Sequence, residues 1–345
     1  MNVLMIGAGM VAQTHILALR DNQAGARLMG VLGRDRDRVA VFCEKAAATV
    51  GYEVAALSDF EAALAMKPDM ALLITPPDAR LEFVQALAEA GVPTLMEKPV
   101  ERTLEAARGL VDLYTQASVP LGLCFQHRTR AAAQDVKRRL ETGALGEIVH
   151  VEMRVPWWRD QSYYDAPGRG TYARDGGGVM INQAIHTLDL ALWLAGPVAR
   201  LQALMRTSPL HRMEAEDIAG ALLTFCSGAS GVLSATTAAY PGGAESIALI
   251  TDKAHVHLEG DSLHIDWVSG QREELVPAGG AETGGGADPM AFTHGWHQAI
   301  LEDFVAAVSE GRTLLAPPAE ALHVHAVIDA MERAAQTGAM TEVLA

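Results

Sequence analysis

Lys98 stands where a charged side chain is unexpected. It lies between Glu97 and Pro99, directly after the apolar run GVPTLM, which is typical of a buried strand. An ammonium group that is partly removed from water gives up its proton more easily, so it can act as an acid or a base near neutral pH. The alternative is a surface lysine paired with Glu97, and this short stretch alone favours that alternative.

Three polar residues share one face of a predicted helix, VMINQAIHTLDLALWLAG. Asn182, His186 and Asp189 have i, i+4 and i+7 spacing and therefore lie on the same side of that helix. Histidine exchanges a proton readily at neutral pH, although His186 taken alone could equally be a buried structural residue. The helix should end at Gly196, because a glycine followed by a proline is a stop signal.

The N-terminal segment GAGMVA has the spacing of a dinucleotide-binding loop between a strand and a helix. Gly7 permits the tight turn, Gly9 lets the backbone approach a pyrophosphate, and Ala12 allows close helix packing. The helix N-terminus attracts the anion. Together with Met10 and Val11, these residues form a predicted cofactor-binding loop, although a merely tight turn is the alternative.

The end of the second strand, VLGRDRDR, should lie near the ribose of that cofactor. An acidic residue at position 33 would bind the 2′-hydroxyl of NAD, but Gly33 and Arg34 stand there. This favours the 2′-phosphate of NADP. Asp35 could reach the ribose after a small loop shift, and Arg34 could instead stack on adenine. The sequence predicts NAD(P) with a slight preference for NADP, and no metal.

The run TPPDAR ends another strand and offers a rigid apolar wall. Ligands of open α/β sheets bind at the carboxyl ends of the strands. We therefore expect Thr75, Pro76 and Pro77 to contact the cofactor there, together with Glu97 and Lys98. A structural loop is the alternative for this run.

Two domains are expected in a chain of 345 residues. Residues 1–122 alternate strands with helices, which predicts a doubly wound α/β domain with a parallel sheet. Residues 123–345 should form an α+β domain for substrate binding and oligomerisation. Six strand-like runs between Ala199 and Val276 predict a large, mostly antiparallel open sheet in it. The glycine-rich segment 277–289 is expected to be a flexible loop.

Composition excludes several function classes. A formal net charge of −15 argues against a nucleic-acid partner. Three separated cysteines form neither a disulfide framework nor a CxxC metal site, and we expect all three to be small buried hydrophobes. His294 and His297 also lack metal-ligand spacing, which favours a structural role. No apolar run reaches the length of a membrane span, and we expect a cytoplasmic protein without a membrane partner.

Five motifs occur in an order and at intervals typical of one enzyme family. They are GAGMVAQTH, ITPPDAR, VPTLMEKP, GALGEI and DGGGVMINQAIHTLDLALWLAG. Each motif is common, but the ordered set is specific, and the whole chain resembles the Gfo/Idh/MocA family of oxidoreductases. The resemblance implies an N-terminal Rossmann domain. It also implies hydride transfer between a nicotinamide and a carbinol of a sugar, sugar acid or cyclitol.

The same resemblance assigns roles to individual residues. Lys98 matches the catalytic lysine of the family, and His186 matches its second acid/base position. Asn182 stands where many members carry an aspartate. An amide cannot accept the proton, so the acid/base work falls to Lys98 and His186, while Asn182 can hydrogen-bond a sugar hydroxyl.

The stretch PWWRDQSYYDAPGRGTYARDGGG resembles a segment of members that act on larger or acidic sugars. We expect Arg159 and Arg169 to bind a carboxylate or phosphate, and Tyr163 to contact a sugar ring. A dimer contact or a loop core is the alternative. Arg80 and Gly168 depart from the histidine and tryptophan common among relatives, so the substrate range cannot be copied from one of them.

Two further functions are compatible with the resemblance. One is a C–O bond-cleaving or epimerising enzyme that retains its NAD, and the other is a non-catalytic NADP-binding regulatory protein. The expected partners are a carbohydrate-like small molecule and other copies of the chain. The open sheet predicts a homodimer or homotetramer, because an exposed sheet face of this size favours being covered.

Overall fold

The computed structural model describes residues 1–276, 286 and 290–344. It divides the chain into two compact units. The first contains Met1–Glu101, Glu105–Gln126 and His294–Ala321, and the second contains Arg102–Leu104, His127–Thr293 and Leu322–Ala345. The glycine-rich segment 277–289 lies outside the described residues, apart from Gly286.

The strands and helices are as follows. The strands are β1 (Asn2–Ile6), β2 (Arg27–Leu32), β3 (Ala55–Leu57), β4 (Met70–Leu73), β5 (Thr94–Met96), β6 (Leu121–Leu123), β7 (Ile148–Pro156), β8 (Val198–Arg206), β9 (Ile218–Phe225), β10 (Ser230–Thr236), β11 (Ser246–Thr251), β12 (Ala254–Glu259), β13 (Ser262–Trp267), β14 (Arg272–Leu275) and β15 (Thr341–Glu342). The helices are α1 (Ala12–Asp21), α2 (Arg36–Val50), α3 (Phe60–Ala65), α4 (Leu81–Glu89), α5 (Leu104–Ala117), α6 (Ala131–Glu141), α7 (Gln161–Tyr164), α8 (Tyr172–Asp175), α9 (Ile185–Ala195), α10 (Gly295–Glu310) and α11 (Pro318–Thr337).

The first unit contains a six-stranded parallel sheet in the order β3-β2-β1-β4-β5-β6. Strand β4 is apolar and fully buried, and β1 is apolar and buried after its exposed first residue, Asn2, as a sheet covered on both faces requires. The strand order reverses between β1 and β4, and the loops after these strands form the crevice where doubly wound sheets bind ligands. The predicted α/β architecture is confirmed.

Helix α10 belongs to the first unit, whereas the predicted boundary at 122/123 places its residues in the second domain. His294 Nε2 lies 2.8 Å from Asp21 Oδ2 at the end of α1, and the Gln298 side-chain amide donates to the Asp21 carbonyl at 3.0 Å. These contacts bring a distant part of the sequence into the first sheet's layer of helices. The predicted boundary at 122/123 stays a prediction.

The second unit contains a nine-stranded sheet in the order β14-β13-β12-β11-β7-β10-β9-β8-β15. Within the described strands of this sheet, only β7 and β10 pair in parallel, so the predicted mostly antiparallel sheet is confirmed. Burial alternates along β9 and β10, which means that one face of the sheet is covered and the other open.

Some local predictions are corrected. The stretch 156–178, for which no helix was predicted, contains the short helices α7 and α8. The helix predicted over residues 179–196 begins with a π-helical turn, Met180–Ala184, before α9. Cys43 and Cys124 are buried as predicted, but Cys226 is exposed. Among the described residues, the helices are too short or too polar to cross a bilayer.

Candidate active site

The turn between β1 and α1 has the geometry of an anion-binding loop. Gly7 has φ of +109°, and a Cβ there would lie 3.1 Å from the Thr75 nitrogen. A Cβ at Gly9 would meet nothing within 4 Å. Val11 at the start of α1 makes no side-chain capping hydrogen bond. The backbone N–H groups of this helix start can therefore bind a phosphate, and the loop fits a pyrophosphate.

The end of β2 has no room for a larger side chain. A Cβ on Gly33 would come 2.6 Å from Val39 Cγ2, so a carboxylate at this position would require Val39 to move. The Asp35 carboxylate caps α2 by accepting a hydrogen bond from the Arg38 N–H at 3.0 Å. Arg34 is exposed on the surface. The helix cap gives Asp35 a structural role, and the Arg34 guanidinium remains the candidate for recognising the ribose.

The loop after β4 contains an unsatisfied polar atom. Thr75 Oγ1 is buried and has no hydrogen-bond partner among the described residues. The Thr75 backbone lies against Gly7, and Pro77 is buried in the short 3₁₀ turn Pro77–Ala79. An orphaned hydroxyl beside the glycine loop fits a bound ligand that supplies its hydrogen bond. The predicted cofactor residues of the two loops are thus brought together.

Glu97 is an interior carboxylate held by two histidines. It is 6% exposed, and its Oε1 lies 2.8 Å from His15 Nε2 and 3.6 Å from His297 Nε2. Burial alone would raise the pKa of Glu97, but the hydrogen bonds from both histidines hold it well below its usual value. Glu97 is therefore ionised. Because it is buried, it does not form the surface ion pair with Lys98 that the sequence alone favours.

The Glu97 cluster also contains Cys124. The ligand atoms of His15, Glu97 and Cys124 lie within 4.8 Å of one another, which is the spacing of a candidate metal cluster. Burial raises the pKa of the Cys124 thiol well above its usual value, and the Glu97 charge adds to this effect. His15 Nε2 and Glu97 Oε1 are 2.8 Å apart, which is the distance of a direct hydrogen bond.

Lys98 lies two residues after the end of β5, next to Glu97. It is partly exposed, whereas Pro99 and Val100 are buried, and the Lys98–Pro99 peptide bond is cis. Since all strands of the sheet are parallel, β1, β4 and β5 end at the same edge. The lysine therefore lies on the side of the sheet that presents the glycine loop.

His186 lies in the first turn of α9 in the second unit and is 7% exposed. Its ring is 4.9 Å from the His127 ring, tilted by 30°. One turn further along α9, the Asp189 carboxylate forms two hydrogen bonds with the Arg128 guanidinium, at 2.5 and 2.9 Å. This fully buried ion pair fixes the helix that carries His186 against the segment before α6.

The proton on His127 can be assigned from its neighbour. Arg130 Nη2 lies 2.8 Å from His127 Nε2, and a guanidinium can only donate hydrogen bonds. His127 Nε2 therefore accepts, so the ring is neutral with its proton on Nδ1. Arg130 is held in turn by Glu245 at 2.7 Å. A neutral, oriented imidazole consequently packs against His186.

The start of the His186 helix is held by Asn182 and Glu216. The Asn182 amide donates to the Gly177 carbonyl at 2.8 Å and to the Gly178 carbonyl at 3.1 Å. An ionised aspartate could donate neither bond. Glu216 accepts from the backbone N–H groups of Gly178 and Met180, both at 3.0 Å. Asn182, predicted to contact substrate, thus uses its donors within the protein.

Part of the predicted substrate segment, residues 156–178, is packed inside the protein. Arg159 is 3% exposed and donates to the Trp158 and Gly286 carbonyls at 2.7 and 2.6 Å. Arg169 remains partly exposed, with its guanidinium 4.9 Å from the centre of the Tyr163 ring. Tyr163 accepts a hydrogen bond from Gln183 in the π-helical turn at 3.3 Å. Of the three, Arg169 and Tyr163 retain a surface that a ligand can contact.

Family models match most of the chain. Residues 1–125 match the model described as an oxidoreductase family with an NAD-binding Rossmann fold. Residues 133–257 match the GFO/IDH/MocA C-terminal domain. The chain belongs to the Gfo/Idh/MocA family. The resemblance stated from the five motifs is therefore confirmed, as is membership of an NAD-binding oxidoreductase family.

Curated relatives of this Gfo/Idh/MocA protein include sugar and cyclitol dehydrogenases. D-apiose dehydrogenase of Paraburkholderia graminis is 31% identical over 236 residues, which cover 66% of this chain and 58% of that protein. Inositol 2-dehydrogenase of Rhizobium meliloti is 29% identical over 56% of this chain and 54% of that one. The chain thus spans little more than half of these relatives. D-apiose dehydrogenase of Rhizobium rhizogenes is 25% identical over 98% of this chain and 96% of the relative.

Solved structures match the whole chain. The WlbA dehydrogenase of Bordetella pertussis, determined in complex with NADH and UDP-GlcNAcA, is 27% identical with a TM-score of 0.81, covering 100% of this chain and 99% of that one. A levoglucosan dehydrogenase in complex with NADH has a TM-score of 0.85 at 21% identity, covering 100% and 99% of the two chains, and shows the shared fold.

Proposed function

We propose that this protein is an NAD(P)-dependent dehydrogenase that transfers a hydride between the nicotinamide and a CH–OH carbon of a sugar, sugar acid or cyclitol. The observation that carries the proposal is the placement of an open glycine loop and Lys98 at one edge of a parallel sheet. The family and the sugar and cyclitol dehydrogenases among its curated members support the substrate class.

We assign the proton transfers to Lys98 and His186. Bound nicotinamide supplies the hydride acceptor or donor. Lys98 is our candidate for the group that takes the hydroxyl proton as the alcohol is oxidised, and His186 for the second acid/base group. The buried Glu97 beside Lys98 and the neutral His127 beside His186 hold these two groups in defined surroundings.

Substrate contacts are proposed for the acid/base pair and for Asn182, Arg159, Tyr163 and Arg169. Arg169 and Tyr163 are the strongest candidates for direct contact because they are partly exposed and stacked. A guanidinium over an aromatic ring suits a sugar that carries a carboxylate or phosphate. Arg159 and Asn182 hold backbone carbonyls, so we propose that they act mainly by shaping the segment and the helix start.

We propose NADP as the preferred cofactor. Gly33 leaves no carboxylate at the end of β2, Asp35 is engaged in the α2 cap, and Arg34 is exposed nearby. A guanidinium there favours a 2′-phosphate over a 2′-hydroxyl. The solved relatives named above contain NADH, so a direct comparison of the two cofactors decides this point.

We further propose a cytoplasmic homodimer or homotetramer that assembles through the nine-stranded sheet. Leu204 and Leu222 lie on the neighbouring strands β8 and β9 and are 54% and 58% exposed. Large apolar side chains on an open sheet face favour a protein partner. Analytical ultracentrifugation of the wild type and of Leu222→Asp tests this, because an assembly through this face should dissociate in the variant.

A spectroscopic screen tests the proposed function. The purified protein is mixed with NAD or NADP and with polyols, cyclitols and sugar acids, while the near-ultraviolet absorbance of the reduced nicotinamide is followed. A steady increase with one of these alcohols is expected. A nicotinamide that stays bound through purification and is never consumed would favour the bond-cleaving or epimerising alternative. Cofactor binding without redox change in the whole panel would favour the regulatory one.

A further inference from the structure

Arg80 is a buried arginine at the edge of the first sheet where the cofactor residues lie. It is 2% exposed and lies between the 3₁₀ turn Pro77–Ala79 and helix α4. A guanidinium is costly to bury unless its donors find acceptors. Packing alone therefore does not explain a buried arginine at position 80.

Its hydrogen bonds connect two loops. Nε donates to the Thr75 carbonyl at 2.9 Å, in the loop after β4. Nη1 donates to the Pro99 carbonyl and to the Val100 carbonyl, the latter at 3.3 Å, in the turn after β5. A guanidinium is planar and rigid, so these bonds fix the distance between the Thr75 loop and the turn that begins with Lys98.

The side chain keeps its positive charge in this position. Burial lowers the pKa of Arg80 to about 10, against the opposing effect of the Glu97 and Glu101 carboxylates. Arg80 is consequently a cation at neutral pH. Its bonds to carbonyl oxygens are charge-assisted and stronger than bonds from a neutral histidine would be.

We propose that Arg80 is a positioning residue for Lys98, holding the turn Lys98–Val100 at a fixed distance from the Thr75–Pro77 loop so that the lysine amine meets the substrate. This inference rests on the proposed function, in which Lys98 is an acid/base group. A purely structural role for Arg80 is the competing interpretation, and the two differ in what they predict for kcat.

The test compares Arg80→Ala and Arg80→Lys with Tyr114→Phe. Tyr114 is 1% exposed and donates to Thr94 Oγ1 at 2.7 Å, at the opposite end of β5 from Lys98. Its variant loses a buried hydrogen bond on the same strand without touching the turn. For Arg80→Ala we expect kcat to fall about 10- to 100-fold, because small misplacements of a catalytic group have effects of that order.

Four further readouts separate positioning from stability. The cofactor dissociation constant should stay within about threefold of wild type in Arg80→Ala, and the pH dependence of kcat should change in this variant but not in Tyr114→Phe. Arg80→Lys should recover part of kcat. Added guanidinium ion should restore part of the activity of Arg80→Ala and none of that of Lys98→Ala.

The variants test the proposed function and the positioning role of Arg80 separately. Full activity in Lys98→Ala would overturn the proposed function itself. An inactive Lys98→Ala combined with unchanged kcat in Arg80→Ala would overturn only the positioning role. If Arg80→Ala cannot be recovered folded, Arg80→Lys decides: reduced kcat with retained cofactor binding supports the inference, and wild-type kcat contradicts it.

Discussion

Glu332 should make the stability of the protein depend on pH in a predictable direction. Burial raises the pKa of this glutamate from 4.5 to about 7, with additional effects from Glu216 and Asp329. Glu332 Oε1 would lie 3.9 Å from a Cβ on Gly177, so the carboxyl adjoins the glycine triplet before the π-helical turn. The carboxyl therefore lies beside the segment that leads into the helix carrying His186.

The sign and size of the effect follow from the raised pKa. Between pH 4.5 and about 7 the folded protein keeps a proton that the unfolded chain releases, so the free energy of unfolding falls as the pH rises through that window. The full shift corresponds to roughly 3 kcal/mol at 1.36 kcal/mol per unit. Glu332 is only half-buried, and solvent screening reduces the expected effect to about 1–2 kcal/mol.

Glu332→Gln tests this reasoning because glutamine has the same shape and no charge. The variant should be about 1–2 kcal/mol more stable than wild type at about pH 8 and equally stable near pH 4.5. Urea unfolding followed by circular dichroism at several pH values measures the difference. Glu44→Gln, at an exposed position on α2, is the control and should change stability little at either pH.

The prediction would be refuted by a Glu332→Gln variant that is less stable than wild type at about pH 8. A difference of the same size at both pH values would also contradict it, since packing rather than charge would then be responsible.

Three other predictions concern the helix carrying His186 and the cofactor. Gly178→Ala should lower the free energy of unfolding by more than about 3 kcal/mol in urea, because its Cβ would lie 1.7 Å from the Glu216 carbonyl oxygen. Gly109→Ala in α5 is the control: its Cβ meets nothing within 4 Å, so the variant should be neutral or slightly stabilising. Asp189→Asn leaves the buried Arg128 cation without its counter-ion and should lower the free energy of unfolding by about 3–5 kcal/mol in the same measurement. Asp266→Asn, in the exposed pair with Arg272, is the control and should lower it by less than about 1 kcal/mol. Arg34→Ala should raise the NADP dissociation constant about tenfold in calorimetry and leave that of NAD nearly unchanged; equal effects on both would remove the argument for a 2′-phosphate contact.

The sheets could be predicted from the sequence, because buried strands appear in it as apolar runs or as alternating apolar and polar residues. Strands β8 to β13 all correspond to such runs. Strand β14 was missed because each of its residues, Arg272–Leu275, is exposed and shows no alternation. Strand β3 has only three residues, none of them buried, so its sequence gives no apolar run either.

The candidate site was predictable only where its residues are close in sequence. The glycine loop and the position of Lys98 follow from local spacing. The histidines around Glu97 come from α1 and α10, and a pairing of His15 with His297 leaves no local signal. The π-helical turn was invisible because almost every side chain around it is buried, which removes the periodicity that would reveal an extra residue.

The rate of hydride transfer in Lys98→Ala, measured under single-turnover conditions with the alcohol identified by the screen, shows whether Lys98 is an acid/base group of the reaction. We expect a rate at least about 100-fold below wild type, because the group that exchanges the hydroxyl proton is gone, and a cofactor dissociation constant within about threefold of wild type. A wild-type rate of nicotinamide reduction in Lys98→Ala would contradict this role of Lys98.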